Sequence, residues 1–125
     1  MSIITDNTVL IHIHSGLESK NKVTLGLLVA LEAEKNDHKV TLFLAGDGVN
    51  LLSCKKAGEI VGAGTGDLYE HLANLRNSKV RIYVSGLSAK SRGYDETLLA
   101  GYNAEFAMPD VLVDELIKAD SVLYY

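Results

Sequence analysis

Short β-branched apolar runs alternate with helix-periodic segments along almost the whole chain, and this alternation most restricts the fold. Val9-Leu10-Ile11-His12-Ile13-His14 reads as a strand closed by Ser15-Gly16. In the segment 22–36, Val23, Leu27, Leu28, Ala30 and Leu31 share one helical stripe, with Glu32, Glu34 and Lys35 facing out. Val40-Thr41-Leu42-Phe43-Leu44 is a second strand ended by Gly46-Asp47-Gly48. Residues 49–56 read as a short helix, and 57–66 as the least regular stretch. Residues 67–77 form a helix with Leu68, Leu72 and Leu75 inward and Thr65 as its expected N-cap. Val80-Arg81-Ile82-Tyr83-Val84 is a third strand, and 85–102 mixes a loop with a short helix. Ala104-Glu105-Phe106 is a brief fourth strand, Pro109 opens a helix reaching Ala119, and Ser121-Val122-Leu123-Tyr124 closes the chain as a strand.

Strand, helix, strand, repeated, means βαβ units. The expected architecture is a three-layer α/β/α domain spanning residues 1–125, with a mainly parallel sheet of about five strands. The 125 residues, 47% of them hydrophobic, are enough for one core without staples.

Charge and cysteine content exclude several functions. Twelve basic and 16 acidic residues give a formal charge of −4, and the basic residues are dispersed in sequence. A nucleic-acid partner wants a concentrated basic face with stacking aromatics, so none is expected. The one cysteine, Cys54, cannot form an internal disulfide or a Cys-based zinc site. No run approaches the ~18 apolar residues of a membrane span, and no signal peptide is visible. The expected location is the cytoplasm.

In an open parallel sheet, ligands bind beyond the carboxyl ends of the strands. The residues expected there are His14 and Ser15, Asp47 and Gly48, and Ser85, Gly86, Ser88 and Arg92. Small residues let a ligand approach backbone, and the Arg92 guanidinium suits an oxyanion. The competing reading is that short βα loops need Gly and Ser simply to turn. His12 and His14 share a strand face but lack a third metal ligand, so no metal is expected and a hydrogen-bonded His12 under a helix is. His38 and His71 read as solvated. Gly62-Ala63-Gly64-Thr65-Gly66 lacks the Lys-Ser/Thr of a phosphate loop and the preceding strand, so it reads as a flexible connection or lid. No cofactor is expected. Tyr94, Tyr102, Met108 and the Tyr124-Tyr125 tail are candidates for a subunit contact.

Arg81-Ile82-Tyr83-Val84-Ser85-Gly86-Leu87-Ser88-Ala89-Lys90-Ser91-Arg92-Gly93 resembles the DsrE/DsrF-like family, in which a strand runs into Cys-Gly-x-Ser-Ala and then Arg-Gly. Phe43-Leu44-Ala45-Gly46-Asp47-Gly48-Val49 is similar to the family's second strand and turn. Gly101, Glu115, Leu116 and Ala119-Asp120-Ser121-Val122-Leu123 resemble its closing helix and strand. The resemblance implies a parallel five-stranded sheet and an oligomer, often a trimer or hexamer, of like or related subunits. It also implies, for some members, persulfide chemistry on a cysteine. Here that position is Ser85, whose hydroxyl cannot carry a persulfide.

The reading is a non-catalytic subunit that binds a small anion or metabolite, or is associated with a sulfur relay. The alternative is an enzyme using Cys54 as a thiol or Ser88 as a nucleophile. Gly-x-Ser-x-Gly is broken at Lys90, which weakens the hydrolase version.

Overall fold

The computed structural model describes residues 7–125. Its main sheet uses β1 (Thr8–Ile13), β2 (Lys39–Leu44), β5 (Arg81–Ser85), β6 (Ala104–Ala107) and β7 (Ser121–Tyr124). Strands β3 (Val61–Gly62) and β4 (Gly66–Asp67) make a separate antiparallel hairpin. The sheet order is β6-β5-β2-β1-β7, and every pairing is parallel. The expected five-stranded α/β architecture is therefore the observed one.

The two faces are covered unequally. Helices α1 (Lys20–Lys35), α2 (Leu68–Arg76) and α3 (Gly86–Ser91) lie on one side with the 3₁₀ segments Gly46–Ser53 and Glu96–Leu99. The main core sits there, with Ile11, Ile13, Leu27, Leu42, Leu44, Leu72 and Ile82 buried. Central strands buried on both faces read as continuous apolar runs, which is why β1 and β2 do not alternate. Among the described residues the other face carries only α4 (Pro109–Lys118), over a small cluster of Leu10, Phe43 and Ala107. Nothing on α4 is fully buried, and Val113 and Ile117 are 51% and 79% exposed.

Local chemistry corrects several boundaries. The segment after β2 is a 3₁₀ helix over Gly46–Ser53 rather than an α-helix over 49–56. Its buried residues are Gly48, Val49, Leu51 and Leu52. The cap of α2 is Asp67, not Thr65: its Oδ1 accepts N–H bonds from Tyr69 at 2.9 Å and Glu70 at 3.4 Å. Thr65 Oγ1 is instead 2.6 Å from Thr24 Oγ1, and Ala63 N–H donates to Asn21 Oδ1 at 2.8 Å. These bonds tie the glycine-rich hairpin to α1, so it is neither a lid nor a loose connection. His71 is buried, not solvated, with Nε2 2.7 Å from the Thr65 carbonyl.

Candidate functional site

The fold brings the carboxyl ends of β1, β2, β5 and β6 together, and with them most of the residues singled out from sequence. Chain connections also place a topological switch point there. After β5 the chain enters α3 on the main-core face, where Ala89 is buried. After β6 it enters α4 on the opposite face. Neighbouring strands whose connections leave to opposite sides define the switch point at which open α/β sheets hold ligands. Here it lies between Ser85-Gly86 and Ala107-Met108, and a Cβ at Gly86 would stand 3.7 Å from both the Ala107 carbonyl oxygen and Met108 Sδ. Sequence alone could not find this switch point, because strand order is not encoded locally.

Ser85 is the hinge of the site. It ends β5 and caps α3, its Oγ accepting the Ser88 N–H at 3.1 Å. Ser88 Oγ in turn accepts the Gly46 N–H at 2.9 Å, so two hydroxyls join the β5 and β2 loops. Helix α3 stops at once because Gly93 adopts φ 79°, and Gly93 and Tyr94 N–H return to the Lys90 and Ala89 carbonyls. That turn aims Arg92 back across the loop. Its Nη2 donates to Asp47 Oδ1 at 2.8 Å and its Nη1 to the Ser88 carbonyl at 3.0 Å. Tyr94 Oη donates to Asn50 Oδ1 at 2.6 Å, a clamp on the Gly46–Ser53 segment that the sequence did not advertise.

His14 and Ser15 follow β1 beside this network. His14 is exposed, and a Cβ at Gly46 would be 3.6 Å from His14 Cβ. Gly48 serves packing, since a Cβ there would overlap the Ile13 carbonyl oxygen. The loop polar groups thus largely satisfy one another, and the Asp47–Arg92 pair is its most exposed element, with side chains 57% and 31% accessible.

His12 departs from expectation. It is buried, yet neither ring nitrogen has a hydrogen-bond partner among the described residues. Its ring packs edge-on to Phe43 and His14, with centroids 5.6 and 5.0 Å away, and tilted against Tyr124 at 5.3 Å. Burial lowers its pKa below the ordinary value, and the neighbouring His14 adds to the effect. An unpaired buried polar group costs about 1–3 kcal/mol, which the aromatic packing must offset.

Cys54 is 2% exposed, inside the main core, with Sγ 3.9 Å from the Lys56 carbonyl oxygen. Tyr94, Tyr102 and Tyr125 pack against the same core rather than standing free. Of the expected contact residues, only Met108 and Tyr124 are broadly exposed. No group of three or more His, Cys, Asp or Glu side chains suited to a metal occurs among the described residues.

Residues 7–125 match the family model described as the DsrE/DsrF-like family. The chain belongs to the DsrE/DsrF-like family. Eight chains of solved structure also match it. Among them is the crystal structure of the ychN protein from E. coli, at 18% identity and a TM-score of 0.71, covering 96% of this chain and 99% of that one. That likeness carries the fold. No curated protein matches the chain by sequence. Within the DsrE/DsrF-like frame, the motif position filled by cysteine in Cys-Gly-x-Ser-Ala is held here by the Ser85 hydroxyl. No helix among the described residues is long and apolar enough to cross a membrane.

Proposed function

We propose that this DsrE/DsrF-like protein is a non-catalytic, oligomeric subunit. It would present the loops around Ser85 and Arg92 to a small anion or to a sulfur-relay partner. The observation that carries the reading is Ser85 itself. Its Oγ stands where the motif places a thiol, and it is committed to the Ser88 N–H. A persulfide needs a thiolate that a donor can reach, and reactive cysteines sit in partly exposed electropositive surroundings. Cys54 is buried at 2% exposure, which weighs against the sulfur-transfer alternative. Ser88 Oγ accepts the Gly46 N–H, and among the described residues no histidine hydrogen-bonds to it or to Ser85. A serine without a base is a poor nucleophile, which weighs against the hydrolase alternative.

Oligomer formation is supported by the sparsely covered face, where exposed Val113 and Ile117 lie one turn apart on α4, and by the exposure of Met108 and Tyr124. The exposed Asp47–Arg92 pair supports the anion-binding reading. A half-exposed ion pair is worth little, so an incoming anion can take Arg92 from Asp47 at small cost.

The test is to incubate native protein with a low-molecular-weight persulfide donor and look for added sulfur by intact mass. Light scattering on the same sample gives the assembly state. No sulfur on the native chain, in an oligomer, is expected. Sulfur accumulating on Cys54 without denaturant overturns the non-catalytic reading, and a monomer at tens of micromolar overturns the assembly.

A further inference from the structure

The amino end of the sheet, opposite the loops described above, holds a cleft of about 570 Å³. It opens between the starts of β1, β2 and β5 and the last turn of α4. Basic residues that are dispersed in sequence meet there: Lys39, Lys79, Arg81 and Lys118 all line it. They are four of the chain's 12 Lys and Arg residues, in a protein whose formal charge is −4.

Three carboxylates share the cleft and most are engaged. Glu34 Oε2 accepts the Lys79 backbone N–H at 3.3 Å, and Glu115 lies 3.9 Å from Lys118 Nζ. Asp37 occupies a left-handed turn at φ 66° and is exposed. Arg81 pairs with Glu105 outside the lining. Within the described lining the cations exceed the acids by one, and Glu105 balances that excess through Arg81. Two further nitrogens are buried without a hydrogen-bond partner among the described residues, Arg81 Nε and His38 Nδ1. Both residues line the cleft. An arginine needs acceptors for its N–H groups, and an orphaned one costs free energy until an acceptor arrives.

We propose that this cleft is a second binding site, for a compact polyanion carrying tetrahedral oxyanion groups of the diphosphate type. Its volume lies within the range of small-molecule sites. Among the described residues no Phe, Tyr or Trp lines it and Val40 is its one apolar lining residue, so they offer a nucleobase no aromatic platform to stack on. Its chemistry is that of charge-assisted hydrogen bonds to phosphate-like oxygens. The site is independent of the Ser85 loops and of whatever they bind.

The test is calorimetric titration of the full chain with pyrophosphate, inorganic phosphate and sulfate as separate arms, at low ionic strength. Amide NMR shifts locate the contact. Saturable pyrophosphate binding is expected, weaker with phosphate or sulfate, with shifts confined to Thr8 and residues 34–41, 79–81 and 115–118. Lys79→Ala and Lys118→Ala should each weaken it about tenfold, as loss of one charge-assisted contact does. Lys22→Ala, on exposed α1 surface, should not. The circular dichroism melt of each variant confirms that it is folded. Absence of saturable binding by all three anions overturns the proposal, as does equal weakening by Lys22→Ala or shifts centred on residues 85–93.

Discussion

Arg92 Nη2 donates to Asp47 Oδ1 at 2.8 Å, joining two loops that are 45 residues apart in the chain. The pair bridges the ends of β2 and β5 at the mouth of the candidate site. Both side chains are substantially exposed, so water competes for each charge. A double-mutant cycle with Asp47→Ala and Arg92→Ala should give a coupling below about 1 kcal/mol in urea unfolding. A larger coupling would mean that the loop is locked and that Arg92 is not free for a ligand.

Ser85 caps α3, so Ser85→Ala should cost about 1 kcal/mol of stability. Ser85→Cys probes the same position chemically. Its thiol would stand at the half-exposed end of β5 and should alkylate with iodoacetamide in native buffer. Wild-type Cys54, at 2% exposure, should react only after unfolding. Fast native labelling of the wild type would show that Cys54 is accessible after all.

Gly48 has no room for a side chain, because its Cβ would meet the carbonyl of Ile13 and lie 3.3 Å from His14 Cα. Gly48→Ala should therefore destabilise by about 1–3 kcal/mol through overpacking. A neutral substitution, read from the urea midpoint, would mean that the 3₁₀ segment can move away from β1.

Burial depresses the His12 pKa in the folded state, while an unfolded histidine titrates near 6.5. As pH falls below about 6.5, the unfolded chain takes up the proton first, so stability drops. It is fully present above that pH and is lost as pH falls toward the depressed folded value. Denaturant midpoints at pH 7.5 and 5.5 should thus differ more for wild type than for His12→Leu. Equal pH dependence of the two would remove His12 as the cause.

Val113 and Ile117 leave an apolar stripe on α4 facing outward. Under the proposed assembly, Ile117→Lys should shift the protein toward smaller species in light scattering, with little change in thermal midpoint when compared as monomers. An unchanged assembly would move the subunit contact elsewhere.

The β-branched runs at 9–13 and 40–44, the stripe of Val23 and Leu27, and Pro109 at a helix start determined the parallel α/β class directly. Period and propensity are local properties, written in neighbouring residues. The loops 14–16, 46–48 and 85–93 were likewise legible as strand ends, and so was the absence of cysteine at Ser85. Tertiary structure decided what lies next to what. It set the order β6-β5-β2-β1-β7 and hence a switch point between the ends of β5 and β6. It gave Asp67 rather than Thr65 the helix cap, because Thr65 was drawn to Thr24 across the hairpin. It buried His12 without a hydrogen-bond partner among the described residues and gathered Lys39, Lys79, Arg81 and Lys118 into one cleft. Such juxtapositions depend on contacts between residues tens of positions apart, and no local pattern records which distant segment will supply the neighbour.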